Sequence, residues 1–74
     1  MFIHERLRGM REDRDLNQTQ IGEALHMSQR KISYIEKGET KLTAEDIVAF
    51  CRLYNVSADY LLGLPENMPY PKRK

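Results

Sequence analysis

Two short helical patterns separated by three residues, between Gln18 and Gly38, constrain the fold of this chain more than any other feature of its sequence. Asn17 and Gln20 have the spacing of a capping box at the start of the first pattern, and Ser28 can cap the second. His26 is the residue we expect at positive φ between them, because histidine tolerates that conformation better than most residue types. The two helices would then meet at a tight elbow.

Gly22 lies inside the first of these helices, where glycine is less favourable than alanine by about 1 kcal/mol. A glycine at such a position is explained if another backbone passes too close for a side chain. We therefore predict a close backbone approach at Gly22, and a crossing helix is the neighbour that we expect.

One face of the second pattern carries side chains that can bind bases. At about 100° per residue, an arc of about 140° contains polar and aromatic residues: Gln29, Arg30, Ser33, Tyr34 and Lys37. In the major groove, arginine can bind guanine, glutamine can bind adenine and serine can bind either. We predict base-edge contacts by Gln29, Arg30 and Ser33, with Tyr34 at the groove wall. The alternative, for this helix taken by itself, is an ordinary solvated amphipathic helix.

Four residues are predicted to contact DNA phosphates: Gln18, Lys37, Thr40 and Lys41. Gln18 begins the first pattern, where free backbone N–H groups and the helix dipole favour an anion. Thr40 and Lys41 lie in the loop after Gly38, which we expect to end the second helix in a left-handed conformation. Contacts of this kind position a protein on DNA and do not specify the base sequence. For Lys31, at the edge of the polar arc, we expect solvent exposure.

From Gln18 to Gly38 the chain resembles the helix-turn-helix of the Cro-like (XRE-type) repressors of phages and bacteria. The resemblance extends from about Ile3 to Leu64 and includes TAED at 43–46 and SADYLLG at 57–63. It implies an all-α fold, a compact five-helix lambda-repressor-like DNA-binding domain over residues 1–64. It also implies an ion pair between Arg11 and Glu36, joining the first helix to the second helix of the motif, and a Gln18 that holds the DNA backbone.

The resemblance further implies a transcriptional regulator, usually a repressor, that binds double-stranded DNA specifically and recognises a palindromic operator as a homodimer. The half-sites for such dimers lie about 34 Å apart along the duplex. Apolar residues at and after the fifth helix are the candidate dimer surface: Val56, Tyr60, Leu61, Leu64 and Met68. The alternative is a monomer in which all of them pack internally.

Three residues depart from the family pattern. His26 replaces the usual glycine of the elbow, and Asp15 replaces the usual glycine before Leu16. Both residue types tolerate left-handed backbone, so these two changes are compatible with the fold. Ala44 stands where some phage relatives have a basic residue for the minor groove, so minor-groove contacts by this loop are not implied.

Apolar periodicity and capping residues predict five helices and no strands. The helices are expected at about Phe2–Arg14, Gln18–Leu25, Gln29–Lys37, Ala44–Tyr54 and Ala58–Leu62. Asn55 and Gly63 are expected to end the last two. Residues 65–74 form a Pro-rich basic tail with too few apolar groups to pack as an element. We interpret the arginines of the first helix, apart from Arg11, as a solvated face.

The charge distribution suits an oriented DNA-binding domain better than the net charge of +1 suggests. Residues 28–41 carry four basic against two acidic side chains, whereas residues 42–64 carry one basic against three acidic ones. A single cysteine, Cys51, cannot form an intramolecular disulfide, and we expect it to be a buried small residue. Because there is no apolar run near 18 residues and no signal-like start, we expect a cytoplasmic protein with no membrane partner.

No cofactor and no metal site is predicted. The two histidines lack metal-ligand spacing, there is no glycine-rich phosphate loop, and no nucleophile has a recognisable neighbouring base. The chain is therefore expected not to be an enzyme. The alternative function is an antitoxin or adaptor whose main partner is another protein, although Gln29, Arg30 and Ser33 argue against a complete loss of DNA binding.

Overall fold

The structure is a computed structural model that describes residues 2–64, and within them the chain forms five α-helices and no strand. The helices are α1 (Ile3–Asp13), α2 (Gln18–Leu25), α3 (Gln29–Lys37), α4 (Ala44–Tyr54) and α5 (Ala58–Leu62). The predicted all-α, five-helix fold is confirmed, and the bounds agree except that α1 is one residue shorter at each end. The predicted tail at 65–74 and Met68 of the candidate dimer surface lie outside the described residues.

Side chains close in sequence cap the four helices from α2 to α5. Asn17 Oδ1 accepts a hydrogen bond from Gln20 N at 2.8 Å, and Gln20 Oε1 accepts one from Asn17 N at 2.9 Å, which completes a capping box. Ser28, Thr43 and Ser57 cap α3, α4 and α5 with their hydroxyl oxygens. Each helix is followed by a residue with left-handed backbone: Asp15, His26, Gly38, Asn55 and Gly63. All five are residue types for which positive φ costs little.

All five helices contribute to one core. Its buried side chains are Leu7, Met10, Ile21, Ile32, Ile35, Phe50, Tyr54 and Leu61. Because Leu61 is fully buried, it belongs to the core and not to a dimer surface, whereas Tyr60 and Leu64 of the predicted surface are exposed. Cys51 is half-buried against the core rather than fully buried as expected, and burial raises the pKa of its thiol.

Two arginines of α1 attach this helix to the C-terminal half of the domain. Arg14 donates from Nη2 to the carbonyl of Tyr54 at 2.8 Å, and its guanidinium lies 5.0 Å from the centre of the Tyr54 ring. Arg6 donates to the carbonyl of Tyr60 at 3.2 Å and lies over the Tyr60 ring. The expected solvated face is therefore wrong for Arg6, which is half-buried. Arg14 is exposed as expected although it makes these contacts, and Arg8 forms an exposed pair with Glu12.

Tyr54 carries a buried hydroxyl that has no hydrogen-bond partner among residues 2–64. Desolvation raises the pKa of Tyr54 to about 12, from an ordinary value of 10.0. In the unfolded chain the phenol ionises from about pH 10 upward, whereas in the folded chain it stays protonated to higher pH. The folded state is therefore favoured below pH 10 and loses this advantage as the pH rises through the folded pKa.

We expect wild-type chain to lose about 2 to 3 kcal/mol of unfolding free energy through Tyr54 between pH 10 and pH 12. Urea unfolding across this range, compared with Tyr54→Phe, measures the effect, because the variant keeps the ring and removes the ionisable group. At pH 7 we expect Tyr54→Phe to match or exceed the stability of wild type, since it removes an unsatisfied buried polar atom. An identical alkaline loss in both proteins would exclude the phenol as the cause.

Candidate nucleic-acid interface

Helix α3 turns its apolar residues into the domain and its polar residues outward. Ile32 and Ile35 are completely or almost completely buried, which sets the rotation of the helix about its own axis. The residues of the predicted polar arc are exposed, except for a half-buried Ser33: Gln29, Arg30, Ser33, Tyr34 and Lys37. This edge is the only part of α3 that a groove of DNA could receive, because the opposite edge is in the core.

The elbow before α3 is a tight backbone turn. His26 has φ of 57°, the left-handed value predicted for it. Met27 N donates to the carbonyl of Gly22 at 2.8 Å, and a Cβ atom added at Gly22 would lie 2.5 Å from the carbonyl oxygen of Met27. The predicted close backbone approach at Gly22 is confirmed, but its partner is the elbow itself and not a crossing helix.

A buried ion pair joins α1 to α3. Arg11 Nε lies 2.8 Å from Glu36 Oε2, and Arg11 Nη2 donates to Glu36 Oε1 at 3.0 Å, so the contact is bidentate. The side chains of Arg11 and Glu36 are 13% and 4% exposed. Arg11 Nη1 also donates to the carbonyl of Leu16 at 2.8 Å. The hydrogen bond to Glu36 raises the pKa of Arg11, which favours the charged form of the guanidinium.

Glu36 begins a chain of hydrogen bonds that reaches the polar edge of α3. Its Oε1 accepts from Gln18 Nε2 at 3.2 Å, and Gln18 Oε1 accepts from Gln29 Nε2 at 2.6 Å. Because a carboxylate can only accept, Gln18 must turn its NH₂ group toward Glu36 and its oxygen toward Gln29. Gln29 must then donate, which leaves its Oε1 and its second N–H for another partner. The sequence analysis singles out each of these residues, but it does not predict the contact between Gln18 and Gln29.

The loop after α3 leaves Thr40 and Lys41 exposed beside the C-terminal end of that helix. Gly38 has φ of 75°, and Glu39 N donates to the carbonyl of Tyr34 at 2.9 Å, so the chain turns sharply away from α3. Gln18, at the other end of the motif, begins α2. The residues predicted to contact bases and those predicted to contact phosphates thus lie on neighbouring segments of the same motif.

Lys31 is exposed as expected, but it also forms an ion pair with α4. Its Nζ lies 3.5 Å from Asp46 Oδ1 in the first turn of α4, although the lysine side chain remains 46% exposed. Periodicity places Lys31 at the edge of the arc correctly, but it does not reveal that α4 begins next to that edge.

A family model for the helix-turn-helix domain matches residues 5–62 of the chain. The chain belongs to the helix-turn-helix domain family. The match covers α2 and α3 together with most of α1 and all of α4 and α5.

This helix-turn-helix protein has relatives among bacterial regulators and phage repressors. It is 34% identical over 68 residues to the uncharacterised HTH-type transcriptional regulator YobD of Bacillus subtilis strain 168, covering 92% of this chain but 60% of the relative. The chain therefore spans about three fifths of the length of that curated relative.

Solved structures share the fold. The P22 c2 repressor, solved in complex with a synthetic operator, is 31% identical with a TM-score of 0.78, and the match covers 84% of this chain and 94% of that one. A transcriptional regulator from Listeria innocua is 26% identical with a TM-score of 0.79, covering 93% of this chain and 64% of that one. These relatives are regulators, so the family gives an enzymatic function no support.

Between Phe2 and Leu64 no helix is long and apolar enough to cross a membrane. The same part of the chain contains no cluster of three or more histidine, cysteine or acidic side chains that could hold a metal ion.

Proposed function

We propose that this chain is a transcriptional regulator that binds double-stranded DNA by inserting α3 into the major groove. The observation that carries the proposal is that α3 presents a polar edge outward while the rest of the domain holds the helix rigidly. Ile32 and Ile35 anchor the opposite side of the helix in the core, and the buried pair of Arg11 and Glu36 ties it to α1. A rigid support of this kind holds base-contacting side chains in one geometry before DNA arrives, which lowers the entropic cost of binding.

In this proposal Gln29, Arg30 and Ser33 contact base edges and Tyr34 lies at the groove wall. Gln29 has one acceptor and one N–H left after its bond to Gln18, and adenine offers the matching donor and acceptor in the major groove. Arg30 is exposed at the start of α3 and has the donors for guanine. Tyr34 is 43% exposed, which leaves its ring available to a thymine methyl.

We assign the phosphate contacts to Gln18, Lys37, Thr40 and Lys41. Lys37, Thr40 and Lys41 are exposed, as phosphate contacts require. Gln18 is half-buried and already bonded to two side chains, so it can offer a phosphate only its second side-chain N–H and the backbone N–H groups at the start of α2. The bonds to Glu36 and Gln29 therefore couple the Gln18 phosphate contact to the Gln29 base contact.

Alanine variants of Arg30 and Lys41 separate the two kinds of contact. We expect Arg30→Ala to lose about 1 to 3 kcal/mol of discrimination at one base position. Lys41→Ala is expected to weaken all duplexes alike and to make the salt dependence of binding shallower by about 1 in log–log slope. The measurement is affinity at several salt concentrations for duplexes selected by wild type from random DNA, and for an unselected pool.

Glu23→Ala is a suitable control for these variants, because Glu23 is exposed on α2 and is assigned no DNA contact. If Arg30→Ala and Lys41→Ala both leave the preference for selected over unselected DNA and the salt dependence unchanged, the assigned roles are wrong. If wild type prefers no duplex at low salt, the proposed function itself fails.

We further propose that the regulator acts in the cytoplasm as a repressor and binds a palindromic operator as a homodimer. The P22 c2 repressor, which matches over most of both chains, was solved in complex with a synthetic operator, and this supports the proposal of an operator-binding repressor. The dimer surface we propose contains Tyr60 and Leu64, to which Leu62 is added because it is 46% exposed. Leu61 is excluded, since it is in the core, and Val56 is excluded because it is half-buried against the core.

A further inference from the structure

Lys31 and Asp46 connect α3 and α4, two helices that pack mainly against other helices. The main helix contacts of α3 are with α1 and α2, and those of α4 are with α2 and α5. The ion pair between Lys31 Nζ and Asp46 Oδ1, at 3.5 Å, crosses directly from the first turn of α3 to the first turn of α4. It is therefore a side-chain bridge over the loop that joins these helices.

The cap of α4 holds the Asp46 carboxylate in place independently of Lys31. Its Oδ2 accepts from Thr43 N at 3.2 Å, and its own N–H donates to Thr43 Oγ1 at 3.0 Å, so the carboxylate belongs to the cap of α4. Its side chain is only 11% exposed. Because the carboxylate cannot move without breaking the cap, Lys31 is attached to the rigid start of α4 and not to a mobile side chain.

The loop between the two helices needs such a connection. Residues 40–42 make no backbone hydrogen bond to the rest of the described chain, and Thr40 and Lys41 are exposed. The ends of the loop are held at Gly38 by the cap of α3 and at Thr43 by the cap of α4. The position of the loop relative to the polar edge of α3 then depends on how α4 sits relative to α3.

We propose that Lys31 and Asp46 are positioning residues that brace the loop. They hold it at a fixed position relative to α3, so that the phosphate contacts of the loop and the base contacts of α3 can form on DNA at the same time. The inference rests on the proposed DNA binding. Phosphate contacts fix the orientation of a protein on DNA, so their distance from the base-contacting residues decides whether both sets form together. Lys31 in this role is turned away from DNA by Asp46 and contributes through the loop.

The decisive variant is Asp46→Asn, because positioning and simple electrostatics predict opposite signs for it. Asparagine can still accept from Thr43 N, so the cap persists while the ion pair is lost. Removing a negative charge normally strengthens DNA binding, yet we expect affinity for the selected duplex to fall about two- to five-fold, the range that one partly exposed ion pair supports. The matched control is Glu45→Gln, which removes an exposed charge from the same turn and is expected to bind equally well or better.

Lys31→Met is the second variant, since it leaves the cap of α4 untouched. We expect it to reduce the ratio of affinities for the selected duplex and a random-sequence pool as Asp46→Asn does, and the double variant to lose no more than Lys31→Met alone. The backbone ¹⁵N order parameters of residues 40–42, measured by NMR without DNA, are expected to be lower in both variants than in Glu45→Gln.

Three results would overturn the bracing role. These are binding by Asp46→Asn at least as tight as by Glu45→Gln, an unchanged affinity ratio in Lys31→Met, and fully additive losses in the double variant. If wild type binds no duplex, the proposed function is what fails, and the order parameters of residues 40–42 alone decide the brace. In that case lower order parameters in both variants support it, and unchanged order parameters overturn it.

Discussion

Arg11→Ala is expected to lower the free energy of unfolding by about 3 to 5 kcal/mol, because it leaves the buried carboxylate of Glu36 without its counter-ion. The Glu36 side chain is 4% exposed, so its carboxylate is largely removed from water and depends on the guanidinium for its charge. The carbonyl of Leu16 loses its donor as well. Domains of this size have total stabilities of about 5 to 15 kcal/mol, so the change removes a large share of it. Urea unfolding followed by circular dichroism measures the loss.

Arg8→Ala is the matched control for this prediction. Arg8 lies on the same helix and pairs with Glu12 at 3.6 Å, but both side chains are more than half exposed. We expect its loss to be at most about 0.5 kcal/mol, as for other exposed pairs one helical turn apart. Similar unfolding midpoints for Arg11→Ala and Arg8→Ala would contradict a stabilising role for the buried pair.

A double variant, Arg11→Met with Glu36→Leu, tests whether the loss comes from the unpaired charge. Replacing both members of a buried pair with apolar residues is often neutral or stabilising. We therefore expect the double variant to be more stable than Arg11→Ala. Because Glu36 also orients Gln18, and through it Gln29, we expect the double variant to lose DNA affinity even where stability is regained.

Helix bounds and caps could be predicted because they depend on residues close in sequence. Asn17 and Gln20 of the capping box lie three positions apart, and the left-handed residues follow their helices by one or two positions. The buried side of α3 was likewise given by the spacing of Ile32 and Ile35. In each case the interaction partners are neighbours along the chain, so the sequence contains the whole arrangement.

Partners distant in sequence could not be predicted from periodicity. Arg14 bonds to a carbonyl 40 residues away and Arg6 to one 54 residues away, and the periodicity of α1 indicates neither contact. Periodicity states which side of a helix a residue occupies, but not which helix end lies opposite. The pair of Arg11 and Glu36 was reached through the family resemblance, which already contains that tertiary information.

The polar edge of α3 is intermediate between these cases. Helical geometry predicts which residues lie on this edge. The bond between Gln18 and Gln29 and the pairing of Lys31 with Asp46 depend instead on the relative placement of three helices. Those tertiary contacts change the expected chemistry, because they limit what Gln18 can offer a phosphate and determine which atoms of Gln29 remain for a base.

Gly22→Ala is expected to destabilise the domain by about 1 to 3 kcal/mol, the usual cost of forcing an extra carbon into a packed site. The added Cβ would lie 2.5 Å from the carbonyl oxygen of Met27, which is backbone and cannot rotate away. Relief requires the elbow to move, and α3 moves with it. The loss outweighs the gain of about 1 kcal/mol that alanine brings to a helix interior. Thermal unfolding measures the balance.

Gly9→Ala provides a control of opposite sign, because Gly9 lies inside α1 and a Cβ added there meets nothing within 4 Å. We expect it to stabilise the domain by about 0.5 to 1 kcal/mol through helix propensity alone. The two variants thus make the same chemical change in two helices of one protein, and differ in what faces the new methyl group. Stabilisation by both would mean that the elbow yields at little cost, and that glycine at position 22 is not required by the turn.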